Sequence, residues 1–333
     1  MQQTTPCTPR WSALQTAAIL LLCRLSAFFC CPVPYTAAYA KGMFAAVLVQ
    51  AAMLLPLVKL RHLLRIPVPA LWLFRLSALT LAAVRTADAF RLMKQLRCPA
   101  PHLLPLMFLA VLLYTVSRPQ AATARTAVLL LVLASAGMLL LPVSGLRAAH
   151  AVSLYLPGNA KGAFLREFRQ SAELALLPVL LTNQKPKEQY APHALTAVCI
   201  GRGAVLPLLV LLGTMQNGRL TNWQGSPFFL LLARTPLSDA VRTDGFWLLL
   251  AVGCAVLCVT FLLQQAIPQT RTPALPRLSV LLICTGAAAC FIRTGYRGEG
   301  LGIAAAVTGA GLPYLLLAVQ GISNKRAAFR RTE

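Results

Sequence analysis

Ten apolar segments, each close to the length needed to cross a bilayer, recur along this chain of 333 residues. A helix needs about 20 mostly apolar residues to span the hydrocarbon core. The longest connector between the segments, Thr214–Arg242, leaves no room for a soluble domain. The sequence predicts spans at Ser12–Cys31, Gly42–Val58, Pro69–Ala89, His102–Val116, Thr126–Leu141, Lys161–Leu181, His193–Gly213, Asp244–Gln264, Leu278–Ile292 and Gly300–Gly321.

The composition supports a membrane protein and excludes a water-soluble globule. Hydrophobic residues make up 58% of the chain and charged residues only 12%, whereas a soluble domain carries roughly 25% charged residues. The net charge of +23 would suggest nucleic acid in a soluble protein, but the basic residues are scattered singly between apolar segments. They are typical of interfacial anchors beside anionic lipid. We expect a single all-α polytopic membrane domain over residues 1–333 that binds no nucleic acid.

The basic residues in short loops also predict the orientation. A small excess of Lys and Arg on one side, together with the basic tail at 322–333, favours both termini in the cytoplasm and a location in the inner (cytoplasmic) membrane. The first apolar segment has some features of a cleavable signal peptide, including the triplet Ala38-Tyr39-Ala40. Because Arg24 interrupts that segment, the favoured interpretation is a retained first span, with cleavage as the alternative.

Motifs for catalysis, metals and cofactors are missing from the sequence. The ten cysteines and four histidines do not have metal-ligand spacing. P-loop, zincin and G-x-S-x-G patterns do not occur. We therefore expect neither an enzyme nor a cofactor or metal site, and a membrane-embedded lipid-modifying transferase is the least favoured function.

The sixth predicted span contains the most informative polar residues. Glu173 follows Gln170 by three positions and Arg169 by four, so the three side chains would share one face of a continuous helix. Ionisable groups at bilayer depth are costly and mark functional sites by default. Glu173 is thus either a cavity-lining carboxylate for a proton or a cationic group, or half of an intrahelical pair with Arg169.

The first span ends at two prolines, Pro32 and Pro34, which favour either irregular backbone lining a cavity or a plain loop. Arg24 in this span is expected to pair with an acidic residue of another helix, for which Glu173 and Asp88 are the candidates. Arg75 of the third span is a further charge that needs a structural partner.

The ten spans divide into two halves of five, at about 12–141 and about 148–321. Segments one and six, which carry the interruption and the polar residues, occupy corresponding places in the two halves. That arrangement is typical of secondary transporters built on inverted repeats.

Several short motifs resemble the spore-germination permeases of the amino acid–polyamine–organocation (APC) superfamily. They are Trp11–Gln15 and Cys23–Ser26 in the first span, Ser171-Ala172-Glu173 and Pro178 in the sixth, and Asn222-Trp223, Ser226-Pro227-Phe228 and Arg242–Trp247 around the longest connector. The chain departs from the family in its shorter length, its greater basicity and a Pro-Val-Pro sequence in place of a glycine-rich turn.

The resemblance implies a five-plus-five inverted repeat and a site for a small nutrient between the first and sixth spans. Matched to this sequence, the site would comprise Ser26, Phe29, Cys30, Cys31, Gln170, Ser171 and Glu173. The leading hypothesis is a permease for a small polar solute, an amino acid or an amine, by secondary transport. The alternative is a non-transporting nutrient sensor or an assembly subunit that works with partner subunits in the lipid membrane.

Overall fold

The computed structural model describes residues 12–30, 36–60, 64, 66–95, 103–145, 158–177, 180, 191–217, 244–267, 274–296 and 299–329. Within these residues every regular element is helical and there is no strand. A 3₁₀ turn spans Ala172–Leu176, and a π-helical segment spans Gly201–Val205. The helices are α1 (Ala13–Cys30), α2 (Ala37–Lys59), α3 (Val68–Gln95), α4 (Leu103–Ser117), α5 (Gln120–Gly145), α6 (Ala160–Gln170), α7 (Ala191–Ile200), α8 (Leu206–Asn217), α9 (Asp244–Ala266), α10 (Ala274–Arg293) and α11 (Glu299–Phe329).

Six stretches of the described helices are long and apolar enough to cross a membrane. Two further apolar stretches, Leu103–Ser117 and Gly311–Gln320, are shorter. The prediction of an all-α membrane-embedded protein is therefore confirmed, whereas the count of ten spans and the inverted repeat stay predictions. The six stretches are Ala13–Cys30, Ala37–Lys59, Val68–Lys94, Gln120–Gly137, Thr196–Met215 and Phe246–Ala266.

The sixth predicted span, Lys161–Leu181, differs from its prediction. Its α-helix ends at Gln170, and the backbone continues as the 3₁₀ turn from Ala172. The Ser171 hydroxyl donates to the carbonyl oxygen of Glu167 at 2.6 Å. A side chain that bonds the preceding turn in this way often bends a helix. The apolar pattern does not show this bond, so it predicted one continuous span.

Side-chain caps define the starts of three helices. Ser12 and Gln15 form a reciprocal capping box at α1, with N···O distances of 3.0 and 3.2 Å. The Thr36 hydroxyl accepts from the backbone N–H of Tyr39 at α2, and the Asn159 side chain accepts from Gly162 at α6. Each cap satisfies an N–H group that has no partner inside its own helix.

Helix α1 forms the centre of the bundle. In the apolar stretch of α1, 83% of the residues are buried, compared with 44% in the apolar stretches of α2 and α3. It packs against α5, α7 and α9, and α3 packs against both α9 and α1. Apolar side chains alone could equally face lipid, but the buried Arg24 of α1 needs protein partners on the neighbouring helices, which agrees with this central position.

Helices α2 and α6 run side by side in the same direction at close range. A Cβ atom on Gly158 would collide with the Thr36 side chain, and one on Gly42 would collide with the Ala160 carbonyl and the Ala163 side chain. The two helix starts therefore lie at the same level. Glycine at position 42 lets the backbones approach closely, as small residues do at membrane helix interfaces.

We expect Gly42→Ala to lower the thermal stability of the purified protein by about 1–3 kcal/mol, because the added methyl group overpacks a backbone contact. Gly286→Ala in α10 is the matched control, since its Cβ meets nothing within 4 Å. There the higher helix propensity of alanine acts alone. Thermal unfolding of the two variants in detergent, followed by fluorescence, measures both effects. Equal melting temperatures for the two variants would contradict the close crossing.

Candidate functional site

A cluster of buried polar side chains lies inside the bundle, and we call it the polar core. Its members come from α1, α2, α3, α6, the 3₁₀ turn and the π segment. Arg24, Gln50, Arg85 and Arg202 lie inside stretches that are long and apolar enough to cross a membrane, where ionisable groups mark function by default. The polar core consists of Arg24, Gln50, Arg85, Glu167, Gln170, Ser171, Glu173 and Arg202.

Glu167 joins two arginines from different parts of the chain. Arg24 of α1 donates to it twice, from Nε to Oε1 at 3.0 Å and from Nη2 to Oε2 at 2.5 Å. Arg202 donates from Nη2 to Oε1 at 2.8 Å. Bidentate charge-assisted bonds of this kind are the strong ones. A single carboxylate thus compensates two buried guanidinium groups.

The π-helical segment places Arg202 in this arrangement. Glycines flank it on both sides, and a Cβ on Gly201 would lie 2.9 Å from the Leu21 side chain of α1. The flanking glycines therefore let this segment approach α1 and α2 closely. Arg202 reaches the Gln50 Oε1 atom of α2 at 2.5 Å and also donates to the Ser171 hydroxyl. Single π turns occur frequently at functional sites.

A second group of charges surrounds Arg85 of α3. Its Nε atom donates to Glu173, its Nη2 atom donates to the Gln170 carbonyl at 2.8 Å, and its Nη1 atom lies 3.6 Å from Asp88. Asp88 also accepts from Arg91 at 3.1 Å. Arg85 therefore has two carboxylates within reach.

Arg91 connects this group to the end of α10. Its Nη2 atom donates to the carbonyl oxygens of Phe291 at 3.0 Å and Tyr296 at 2.5 Å. A basic side chain is favourable at a helix C-terminus because it satisfies the last carbonyl groups. The row of charges from Glu173 thus ends at the C-terminus of α10.

Several buried atoms of the polar core have no hydrogen-bond partner among the residues that the structure describes. They are Arg24 Nη1, Arg202 Nε, and both Nε2 and Oε1 of Gln170. Arg24 and Arg202, with Ser171 and Glu173, border a narrow void that is too small for a water molecule. Buried polar groups are nearly always satisfied, so orphaned ones call for an explanation such as a ligand or a water.

The charge balance of the polar core is positive. Together with Asp88 and Arg91, it brings four arginines against three carboxylates among the described residues. Both donors and acceptors are available for a further group, but the uncompensated charge is a cation. The arrangement therefore favours a ligand with an anionic part.

Among the predicted site residues, Gln170, Ser171 and Glu173 all lie in the polar core. Ser26, Phe29 and Cys30 are buried in α1, with Phe29 edge-on to Trp247 of α9 at a centroid distance of 6.3 Å. The α1 residues that border the void are Leu20 and Arg24 instead. Cys31 and the Pro32–Pro34 interruption lie outside the described residues.

The predicted partners of Arg24 were wrong. Arg24 pairs with Glu167, not with Glu173 or Asp88. The ion pair that the structure gives Glu173 is with Arg85. The α-helix ends before Glu173, so the spacing of four no longer places Arg169 on its face, and Arg169 is only half-buried.

The predicted structural charges Arg75 and Asp88 have different surroundings. Asp88 is buried between Arg85 and Arg91, as described above. Arg75 is half-exposed and stacks on the Trp72 ring at 5.0 Å, outside the polar core. The exposed Trp72 ring gives it a cation–π contact that requires no carboxylate.

Sequence reasoning did not select Gln50, Arg85, Glu167 or Arg202 for the site. The sequence does contain a signal for Arg202, a single charge flanked by glycines inside an apolar span. Glu167 has no comparable signal, because it lies in a stretch of several charged residues. Only the position of α6 against α1 distinguishes it from them.

The described residues contain no group of three or more His, Cys, Asp or Glu side chains placed to hold a metal ion. The two glutamates of the polar core are both paired with arginines, Glu167 with Arg24 and Arg202 and Glu173 with Arg85. The chemistry of this donor set is therefore recognition of charged and polar groups by hydrogen bonds and ion pairs.

Neither the protein-family models nor the curated proteins compared with this chain give a match. The functional assignment consequently depends on the geometry of the polar core and on the membrane-embedded fold around it. Both are properties of this chain's own residues.

We expect Glu167→Gln to destabilise the protein by about 3–5 kcal/mol, because it leaves two buried arginines without a counter-charge. Glu173→Gln is the matched comparison and should cost clearly less, since Arg85 keeps Asp88 and the Gln170 carbonyl. Thermal unfolding of both purified variants provides the measurement. The central role of Glu167 is refuted if Glu173→Gln is the more destabilising change.

Proposed function

We propose that this protein is a permease-like membrane protein for a small polar solute, an amino acid or an amine, moved by secondary transport. The observation that carries the proposal is the polar core at bilayer depth, with unpartnered donors and acceptors on Arg24, Arg202 and Gln170. A protein that needed only a stable interior would gain as much from apolar side chains. Polar groups that are so costly to bury are expected where a solute forms hydrogen bonds with their unpartnered atoms.

The free atoms match the two ends of an amino acid. The Arg24 Nη1 and Arg202 Nε atoms donate to a solute carboxylate, and the Gln170 Oε1 atom and Glu173 accept from its ammonium group. The excess positive charge of the polar core favours a solute with a carboxylate. Within the proposed class, an amino acid therefore fits better than a simple amine.

Arg85 provides a route for Glu173 to change partners. In the described state Arg85 holds Glu173, with Asp88 at 3.6 Å as a second carboxylate. When a proton or the solute ammonium takes Glu173, Arg85 retains Asp88. Glu173 is thus the proposed coupling or amine-binding carboxylate, and the change of partner links its charge state to α3.

The backbone around the polar core supports a transporter with inverted repeats. The sixth segment is interrupted at Ser171, and irregular backbone inside a membrane is tolerated only where protein or a cavity surrounds it. The parallel course of α2 and α6 agrees with three membrane crossings between them, by α3, α4 and α5. We assign the halves to about 12–141 and about 148–321, as in the spore-germination permeases of the APC superfamily, with both termini cytoplasmic in the inner membrane.

A second candidate function is a nutrient sensor or assembly subunit that binds the solute without moving it. The narrow void favours it, because an interior with several ion pairs and no room for water can bind a solute by small rearrangements. Partner subunits would then receive the signal. Flux is the property that separates the two functions.

Reconstitution tests the permease directly. We expect proteoliposomes with the wild-type protein to take up labelled amino acids, and Glu173→Gln to reduce that uptake at least tenfold, a factor equivalent to about 1.4 kcal/mol. Arg75→Gln, outside the polar core, is the matched control and should keep the wild-type rate. Equal uptake by the wild type and Glu173→Gln would remove the role assigned to Glu173.

Ligand-dependent thermal shifts test the class of solute. Amino acids should raise the melting temperature of the wild-type protein more than the corresponding decarboxylated amines, because only the former use the free arginine donors. Arg202→Gln should abolish the difference between the two series. Stabilisation by amino acids without any uptake would favour the sensor, and amines stabilising as strongly as amino acids would contradict the proposed carboxylate contact.

A further inference from the structure

A long groove, separate from the polar core, runs along α4, α5 and α9. It encloses about 990 Å³ and is lined almost entirely by apolar side chains. Its lining starts near Leu104 of α4 and reaches Arg118, just past the end of that helix. At 1.5 Å per residue this corresponds to roughly 21 Å along the helix.

The walls of the groove face outward, toward the membrane. Leu249 of α9 is 77% exposed, and Met107 and Tyr114 of α4 are 56% and 58% exposed. We expect apolar side chains that are exposed on a membrane-spanning helix to face lipid and not water. The groove therefore opens into the hydrocarbon region. Its shape suits a long, thin, apolar molecule and not an amino acid.

One end of the groove is polar and basic. Arg118 lies there, with its Nη2 atom on the Tyr114 hydroxyl and its guanidinium over the Tyr114 ring at 4.3 Å. Arg277 of α10 donates to the Ser117 carbonyl at 3.0 Å, immediately beside it. The hydroxyls of Thr115 and Thr260 share a hydrogen bond of 2.7 Å at the same end.

These two arginines have no acidic partner in the described part of the chain. None of the ion pairs between described residues includes Arg118 or Arg277. The opposite end of the groove, near Leu104 and Leu248, is apolar. The groove therefore combines an apolar channel with a positive end, and the charge is available to an anion at the membrane surface.

We propose that the groove binds one acyl chain of an anionic phospholipid, with the lipid phosphate held by Arg118 and Arg277. The length and apolar lining fit the chain, and the basic end fits the phosphate. In the predicted orientation this end faces the cytoplasmic leaflet, where anionic lipids concentrate. The inference does not depend on the proposed transport function.

Lipid retention by the purified protein tests the charged end. Detergent-solubilised protein is incubated with phosphatidylglycerol or phosphatidylcholine of identical acyl chains, and bound lipid is counted by native mass spectrometry. We expect the wild type to prefer phosphatidylglycerol. The double variant Arg118→Gln/Arg277→Gln should lose that preference by roughly fivefold for each arginine removed, the factor for about 1 kcal/mol.

Because the whole chain is strongly basic, Arg75→Gln serves as the matched charge control and should retain the preference. Three outcomes would each overturn the proposal: a wild type without the preference for phosphatidylglycerol, a double variant that keeps it, or an Arg75→Gln variant that loses it to the same extent. Glycerol phosphate is the competitor that separates a lipid from a free phosphate. Competition by glycerol phosphate at lipid concentrations would also overturn the proposal, since the acyl chain would then contribute nothing.

Filling the groove tests the acyl chain. Gly253 lines the groove with only ordinary contact to Leu130 at 3.7 Å, so a leucine there extends into the channel. Gly253→Leu should reduce the binding of both lipids, whereas Gly286→Leu, which meets open space, should not. Val256→Phe fills the same channel and replaces Gly253→Leu if that variant does not fold. Unchanged lipid binding in a folded groove-filling variant refutes the site.

Discussion

The ion pairs of Glu167 with Arg24 and Arg202 are the interactions on which the interior of this protein depends. A guanidinium group at bilayer depth costs several kcal/mol unless a carboxylate compensates it, and here one carboxylate serves two of them. That requirement fixes α6 against α1 and the π segment against both. Close glycine contacts at positions 42 and 201 then allow the backbones to meet at the distance that these pairs need.

Irregular backbone and buried charge occur together in this structure. The 3₁₀ turn supplies Glu173, and the π segment supplies Arg202. Departures from the α-helix expose backbone groups that lipid cannot satisfy, so they occur inside the protein and beside other polar groups. The same departures turn side chains away from the faces that a regular helix would give them. This explains how charges from four sequence segments converge on one place.

The all-helical membrane fold and most of its long apolar helices could be predicted from the sequence. Long apolar segments such as Ala13–Cys30 and Phe246–Ala266 have only one stable form in a bilayer, because every backbone group must be bonded within the segment. The sixth segment was predicted less well. Its apolar residues continue to Leu181, but the Ser171 hydroxyl bonds the Glu167 carbonyl and the α-helix ends at Gln170. A local side-chain bond therefore outweighed the hydrophobic pattern.

The sequence by itself determined that charges would be buried, since Arg24, Glu173 and Arg202 lie inside apolar segments, and a side chain there must find a partner. It could not determine which partner. Glu173 and Asp88 were the candidates for Arg24, and the spacing along the chain gives no distance between helices. The tertiary structure decided the pairs by placing Glu167, instead of Glu173 or Asp88, beside α1. A hydrogen-bonded ion pair forms only when donor and acceptor atoms come within about 3 Å, so pairing is a property of helix packing and not of sequence order.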